Sequence, residues 1–182
     1  MPTQVSSVYL TFDDGPHPEV TGWVLDQLEK FSAKATFFCV GENAVKFPST
    51  VESIIKAGHS VGNHSFNHLN GWKTENQVYF ENVSKCAEVI HSDLFRPPYG
   101  KIRLSQINEL KKKYRIVMWS LLSRDYDPML NVNESTTTLK KKSRTGSVIV
   151  FHDSLKSEKN LRIILPEMLK YWNENNFKMR CL

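Results

Sequence analysis

The feature that most constrains the fold is a regular alternation of short apolar segments with longer segments of helical periodicity. Residues 8–12, 35–40 and 148–151 are strand-sized and rich in β-prone side chains. Residues 19–31 carry apolar side chains at helical spacing. Because parallel strands are connected through helices that cover the sheet, this alternation predicts an α/β protein with a parallel sheet or barrel.

The remaining elements continue the pattern. We predict a short strand or turn at residues 60–63, a short segment at 94–96 that stops at the double proline, and a strand at 114–119. Helices are predicted at residues 42–57, 74–90, 104–113 and 159–175. Segment 123–133, rich in Asp, Pro and Asn, reads as a loop. With 182 residues and no internal repeat, we expect residues 1–182 to form a single domain.

Composition excludes several classes of protein. The net charge of +5 includes lysine runs at 111–113 and 140–142, but no aromatics are interleaved with them, so we interpret them as solvated faces and expect no nucleic-acid partner. No apolar run is long enough to span a membrane. The three cysteines are widely spaced, which argues against a disulfide framework, and we expect Cys39 to be buried.

The N-terminus has no basic segment followed by an apolar stretch, so we expect no signal peptide in the given sequence. A leader removed before Met1 is compatible with the same observation.

Chemically distinctive residues follow the predicted strands, where active sites of parallel α/β proteins lie. Asp13 and Asp14 come directly after the first strand. Two adjacent carboxylates resist joint ionisation unless a cation or an arginine is near, so one could bind a metal while the other acts as a base. An Asp-Gly turn followed by a helix cap is the alternative.

His64 and His68 follow the third strand. Histidines four residues apart on a helical turn face the same way and can bind one metal ion, and Asp14 would complete a set that leaves positions open for water and substrate. Ser65 is either a supporting hydrogen-bond partner or a helix cap.

Two further clusters follow strands. Residues 96–100 read Arg-Pro-Pro-Tyr-Gly, a rigid loop that can hold a backbone N–H as an oxyanion donor, with Arg96 available to pair with a carboxylate. His152 ends a buried strand and is a candidate general acid, whereas Asp153 is expected to be a helix cap or turn former. The alternative for residues 96–100 is a purely structural turn, and the alternative for His152 is a histidine buried in the core.

Taken together, the motifs TFDDGP at 11–16, HSFNH at 64–68 and RPPYG at 96–100 resemble those of the NodB-homology polysaccharide deacetylases, carbohydrate esterase family 4. The resemblance runs from residue 8 to about residue 171. It implies a distorted (β/α) barrel with about seven parallel strands. It also implies a divalent metal bound by Asp14, His64 and His68; zinc suits these ligands, and cobalt, nickel or iron are possible.

The resemblance assigns further roles by position. Asp13 would be the general base and His152 the general acid, with the backbone N–H of Tyr99 in the oxyanion hole. Arg96 would orient Asp13, and Asp125 would orient either Arg96 or His152. The implied substrate pocket contains Val150, Trp119 and Tyr126. The sequence departs from the family motif at Leu122, where an aspartate is usual, and at Tyr126, where a tryptophan is usual.

The predicted activity is removal of N-acetyl groups from peptidoglycan or a chitin-like glycan. An O-acetyl esterase acting on xylan-type polymers and a non-catalytic carbohydrate-binding protein are the alternatives. An acetylated glycan would be the partner, which implies the cell envelope or the exterior, and we expect a monomer.

Overall fold

Seven parallel strands form the centre of the fold in the computed structural model, which describes residues 6–182. The strands are β1 (Ser7–Asp13), β2 (Ala35–Cys39), β3 (Ser60–Asn63), β4 (Leu94–Phe95), β5 (Arg115–Ile116), β6 (Leu121–Leu122) and β7 (Ser147–His152). They lie in the order β5-β4-β3-β2-β1-β7-β6. The sheet curls into a distorted barrel, as predicted, and within residues 6–182 no pairing joins β5 to β6.

Helices lie between consecutive strands except between β5 and β6. They are α1 (Pro18–Lys30), α2 (Gly41–Lys46), α3 (Pro48–Lys56), α4 (Asn76–Ala87), α5 (Leu104–Leu110), α6 (Val132–Lys142) and α7 (Glu158–Glu174), with a 3-10 turn at Pro98–Gly100. A last strand, β8 (Lys178–Arg180), pairs in parallel with the first residues of β1. None of the helices formed by residues 6–182 has the length and hydrophobicity needed to cross a bilayer.

The core lies on both faces of β1, which is why that strand reads as an almost continuous apolar run. The ring of Phe12 stacks on Phe37 of β2 and Phe151 of β7, with centroids 5.0 Å and 5.6 Å apart. Trp172 of α7 is completely buried against Phe151. Cys39 is buried, as predicted, and all three cysteines are free.

Several predicted boundaries were wrong. The single helix predicted at 42–57 is two helices, because Pro48 has no N–H to continue α2 and restricts Phe47 to a non-helical conformation. The strand predicted at 114–119 is only two residues long, matching the two residues of β4 with which it pairs. Helix α6 was missed because its sequence, VNESTTTLKKK, contains only two apolar residues and so has no helical periodicity. The short strands β6 and β8 were also missed.

Candidate functional site

The carboxyl ends of the parallel strands meet at one edge of the sheet, and the motif residues meet there with them. Asp13 at the end of β1 lies opposite His152 at the end of β7 in the strand register. Asn63, the last residue of β3, pairs with Phe95 of β4, so His64 and Arg96 leave the sheet side by side. Pairing of short parallel strands therefore gathers residues that are up to 139 positions apart in the sequence.

Asp14, His64 and His68 converge on one point. Oδ1 of Asp14 lies 3.0 Å from Nε2 of His68 and 3.6 Å from Nε2 of His64. One potential ligand atom from each residue lies within 4.8 Å of the others. Nδ1 of His64 is 2.8 Å from the carbonyl oxygen of Arg96, an arrangement that directs Nε2 toward the centre of the cluster. Two imidazole nitrogens and a carboxylate oxygen form a donor set that fits a divalent transition metal.

The two histidines reach this point without the predicted helical turn. Residues 64–68 form a loop in which Ser65 and His68 have φ values of 59° and 55°. The side chain of Asn63 accepts a hydrogen bond from the N–H of Ser65, and Asn82 of α4 accepts one from Phe66. Ser65 caps no helix; its hydroxyl accepts a hydrogen bond from the N–H of Leu69 and so closes the loop.

Asp14 is held as a carboxylate. Burial acts to raise its pKa, but the hydrogen bonds from His64 and His68 and the nearby His152 lower the pKa well below the ordinary value of 3.8. An ionised carboxylate is the form that binds a metal ion.

Asp13 is paired with the buried guanidinium of Arg96. Nη1 of Arg96 donates to Oδ1 of Asp13 at 2.7 Å and lies 2.7 Å from the hydroxyl of Thr11. Nε of Arg96 donates to the carbonyl of Val117, and the guanidinium lies 4.2 Å from the ring centroid of Phe38. The arginine is therefore fixed on several sides and leaves the second oxygen of Asp13 available to the cavity.

Asp125 contacts His152, which decides between the two partners that the sequence left open. Oδ1 of Asp125 lies 2.7 Å from Nδ1 of His152, and Oδ2 accepts the backbone N–H of the same histidine at 2.9 Å. Burial acts to lower the pKa of His152, but the hydrogen bond and charge of Asp125, with smaller contributions from Asp14 and Asp13, raise the pKa to about 9. The imidazole is thus held as a cation at neutral pH, a form that can donate a proton.

A cavity of about 300 Å³ is lined by Asp13, Asp14, His64, His68 and His152, whereas Arg96 and Asp125 are buried behind its wall. Tyr99, at φ 60°, sits in the turn after β4 with its ring edge-on to His68 at 4.5 Å. Tyr126 packs edge-on to His152 at 4.9 Å, so the unusual residue at this position forms a wall beside the imidazole. The other wall residues are Trp119, Leu122, Val150 and Lys156.

The prediction for Asp153 was wrong. Its carboxyl group is buried beneath the turn after β1, where Oδ2 accepts a hydrogen bond from the hydroxyl of Thr21 at 2.6 Å and a Cβ on Gly15 would come within 2.2 Å of it. Burial raises the pKa of Asp153 to about 7. Its place directly after His152 at a strand end was a weak sequence signal, because a polar residue there is also typical of a turn.

Comparisons with known proteins agree with this architecture. The family model for polysaccharide deacetylases matches residues 1–117. A peptidoglycan-N-acetylglucosamine deacetylase of Bacillus cereus is 36% identical over 160 residues, covering 84% of this chain and 58% of that protein. A chitooligosaccharide deacetylase of Azorhizobium caulinodans is 37% identical over 158 residues, covering 81% of this chain and 74% of that protein.

Solved structures give the same result. The peptidoglycan deacetylase PdaC from Bacillus subtilis superposes with a TM-score of 0.88 at 26% identity, covering 100% of this chain and 90% of that one. A family 4 carbohydrate esterase from Streptomyces lividans, solved with acetate, gives a TM-score of 0.84 at 26% identity, covering 95% and 91% of the two chains. The chain thus spans over half of the Bacillus cereus relative and most of the solved domains.

Proposed function

The chain belongs to the polysaccharide deacetylase family, and from this premise we propose that it is a metal-dependent hydrolase that removes N-acetyl groups from an amino-sugar polymer. One observation carries the proposal: Asp14, His64 and His68 converge beside two ordered pairs, Asp13 with Arg96 and Asp125 with His152. Residues 1–182 would act as one domain. Charged groups are costly to bury, and their presence together at the strand ends favours catalysis over a non-catalytic scaffold.

The proposed metal ligands are Asp14, His64 and His68. A divalent metal there, zinc by preference with cobalt, nickel or iron as alternatives, would polarise the acetyl carbonyl and lower the pKa of a bound water. Asp13 takes the proton from the attacking water, and Arg96 holds that carboxylate in position. The backbone N–H of Tyr99 donates to the oxygen that becomes negative in the tetrahedral intermediate.

Collapse of that intermediate requires a proton on the departing nitrogen, because an amide anion is a very poor leaving group. His152 donates this proton, and Asp125 keeps the imidazole protonated and oriented. Val150, Trp119 and Tyr126 form the proposed acetyl and sugar pocket. The alcohol that leaves from an O-acetyl ester needs less proton donation from an acid than the amine that leaves from an amide. Because Asp125 holds His152 in position as an acid, the site favours an amide substrate over the ester alternative.

The relatives named above act on peptidoglycan and chitooligosaccharides, which makes N-acetylglucosamine polymers the substrate class we propose. Such a substrate would place the protein at the cell envelope or outside it. We propose that it works as a monomer.

Metal removal and replacement test the proposal. We expect chelation to abolish acetate release from N-acetylated glycans, and zinc or cobalt to restore it. Asp13→Asn should abolish turnover and keep the metal, whereas His64→Ala should lose the metal, as measured by elemental analysis of the folded variants.

Four results would count against parts of this assignment. Full activity after exhaustive chelation would exclude the metal role. Loss of metal from Asp13→Asn would reverse the roles of Asp13 and Asp14. An equal loss of activity on N-acetyl and O-acetyl substrates in His152→Ala would remove the argument that favours an amide over an ester. Glycan binding without acetate release from any substrate would support the non-catalytic alternative.

A further inference from the structure

A second cleft lies beside the proposed catalytic cavity. It has a volume of about 340 Å³ and shares two lining residues with the cavity, Asp14 and Lys156. Its outer part is formed by Lys46 and Phe47, at the junction of α2 and α3, and by the exposed Leu155 after β7. A polymer with one sugar in the cavity would therefore reach this cleft with a neighbouring sugar.

The cleft carries unbalanced positive charge. Lys46 and Lys156 are exposed, and among residues 6–182 no carboxylate forms an ion pair with either of them. Their ammonium groups instead face aromatic rings, Lys46 over Phe47 at 5.0 Å and Lys156 over Tyr126 at 5.5 Å. Elsewhere on the surface, by contrast, Lys140 pairs with a glutamate at 2.8 Å.

One carboxylate lines this cleft, that of Asp14. Its Oδ1 lies 3.0 Å from Nε2 of His68 and 3.6 Å from Nε2 of His64, and its charge would be matched by the metal in the proposed function. The other polar lining groups are neutral or basic, including His17 and the amide of Asn43, which donates to the carbonyl of Asp14. With a metal bound, the cleft would attract an anion.

We propose that this cleft binds a carboxylate carried by the sugar next to the one that is deacetylated, so that the protein selects acidic glycans over neutral ones. This inference rests on the proposed deacetylase function. Lys46 and Lys156 supply the positive charge, and Phe47 and Leu155 supply apolar surface for the body of the sugar ring. Because both lysines are exposed, the preference is expected to weaken as salt concentration rises.

Matched substrates test the selection. The wild-type protein with zinc is compared on an N-acetylated oligosaccharide with free carboxylates on alternate sugars and on the same oligosaccharide with those carboxylates amidated. We expect a lower KM for the free-carboxylate form and similar kcat values. Lys46→Gln should reduce the KM advantage about twofold to fivefold, the range that exposed ion pairs reach, and Lys46→Gln with Lys156→Gln should remove most of it. Lys141→Gln makes the same charge change outside either cleft and should keep the advantage.

The outcomes separate the two proposals. Equal KM values for the free and amidated forms, with acetate released from both, would overturn the carboxylate site and leave the deacetylase function intact. An equal loss of preference in Lys141→Gln would also overturn it, because the effect would then come from net charge. No acetate from either form, with zinc, cobalt, nickel or iron supplied in turn, would overturn the proposed function and with it the carboxylate site that rests on it.

Discussion

Asp125→Asn should lower the pKa of His152 and with it the upper pH limit of activity. The substitution removes the negative charge 2.7 Å from Nδ1 and keeps a side-chain oxygen of similar size. Burial acts to lower the pKa of His152, and Asp125 is the largest influence that raises it to about 9. A hydrogen bond to a charged group contributes about 1.5–3 kcal/mol, which corresponds to about one to two pH units. We expect the pKa to fall by that amount.

The proposed acid works only when it is protonated, so activity is lost as pH rises through the pKa of His152. In Asp125→Asn the alkaline limb of kcat/KM should therefore move to lower pH by about one to two units. Acetate release from an N-acetylated oligosaccharide, measured across pH for both proteins, gives this limb. NMR titration of the His152 ring gives the same pKa without turnover.

Asp127→Asn is the matched control. Asp127 lies on the same loop and pairs with Arg124 at 2.8 Å, so its loss changes the net charge equally without touching His152. We expect no movement of the alkaline limb in this variant. The reasoning is refuted if Asp125→Asn folds normally and keeps the wild-type limb and ring pKa, or if Asp127→Asn moves both as far.

Three further predictions concern stability. Gly15→Ala should destabilise the fold by about 1–3 kcal/mol in urea denaturation, because the added Cβ would clash with the buried Asp153 carboxyl group. Gly22→Ala lies in open space on α1 and should stabilise the fold by about 0.5–1 kcal/mol. Equal changes in the free energy of unfolding of the two variants would contradict this packing. The pKa of Asp153 is about 7 in the folded protein against an ordinary value of 3.8, so its protonation stabilises the fold fully below pH 3.8 and this stabilisation is lost as pH rises to 7. Between pH 3.8 and pH 7 the Tm of Asp153→Asn should therefore fall less than the Tm of the wild type. The same change of Tm with pH in both proteins would exclude this titration. Arg96→Met leaves Asp13 buried without its ion pair and should cost about 3–5 kcal/mol in the same urea assay, and a smaller loss would mean that water reaches the carboxylate.

The main strands were predictable from sequence because their side chains are buried on both faces. β1, β2 and β7 are short runs of mostly apolar residues in the sequence. Strand β5 was predicted too long and β6 was missed. Each has only two residues, too few to show an alternating pattern, and each forms only because a neighbouring strand pairs with it. Helix α6 lacks an apolar stripe, so its position was decided by packing on α7 and by the cap that Asn131 provides.

Motif residues were predictable one by one, but their partners were not. The sequence alone placed Asp14, His64 and His68 after strands, and it suggested a helical turn that the structure replaces with a loop held by Asn63 and Asn82. It also left two partners open for Asp125. In the tertiary structure Asp125 contacts His152, because the pairing of β6 with β7 brings the loop after β6 against the end of β7.

The sequence by itself therefore determined the parallel architecture, the family and the set of polar residues at the strand ends. These properties are local, since burial and turn chemistry leave their pattern in neighbouring residues. The tertiary structure alone decided that Asp125 supports His152, that Asp153 lies under Gly15, and that Lys46 and Lys156 share a cleft with Asp14. Those contacts join residues far apart in the chain, and their distances and pKa values depend on strand register and burial, which no local pattern encodes.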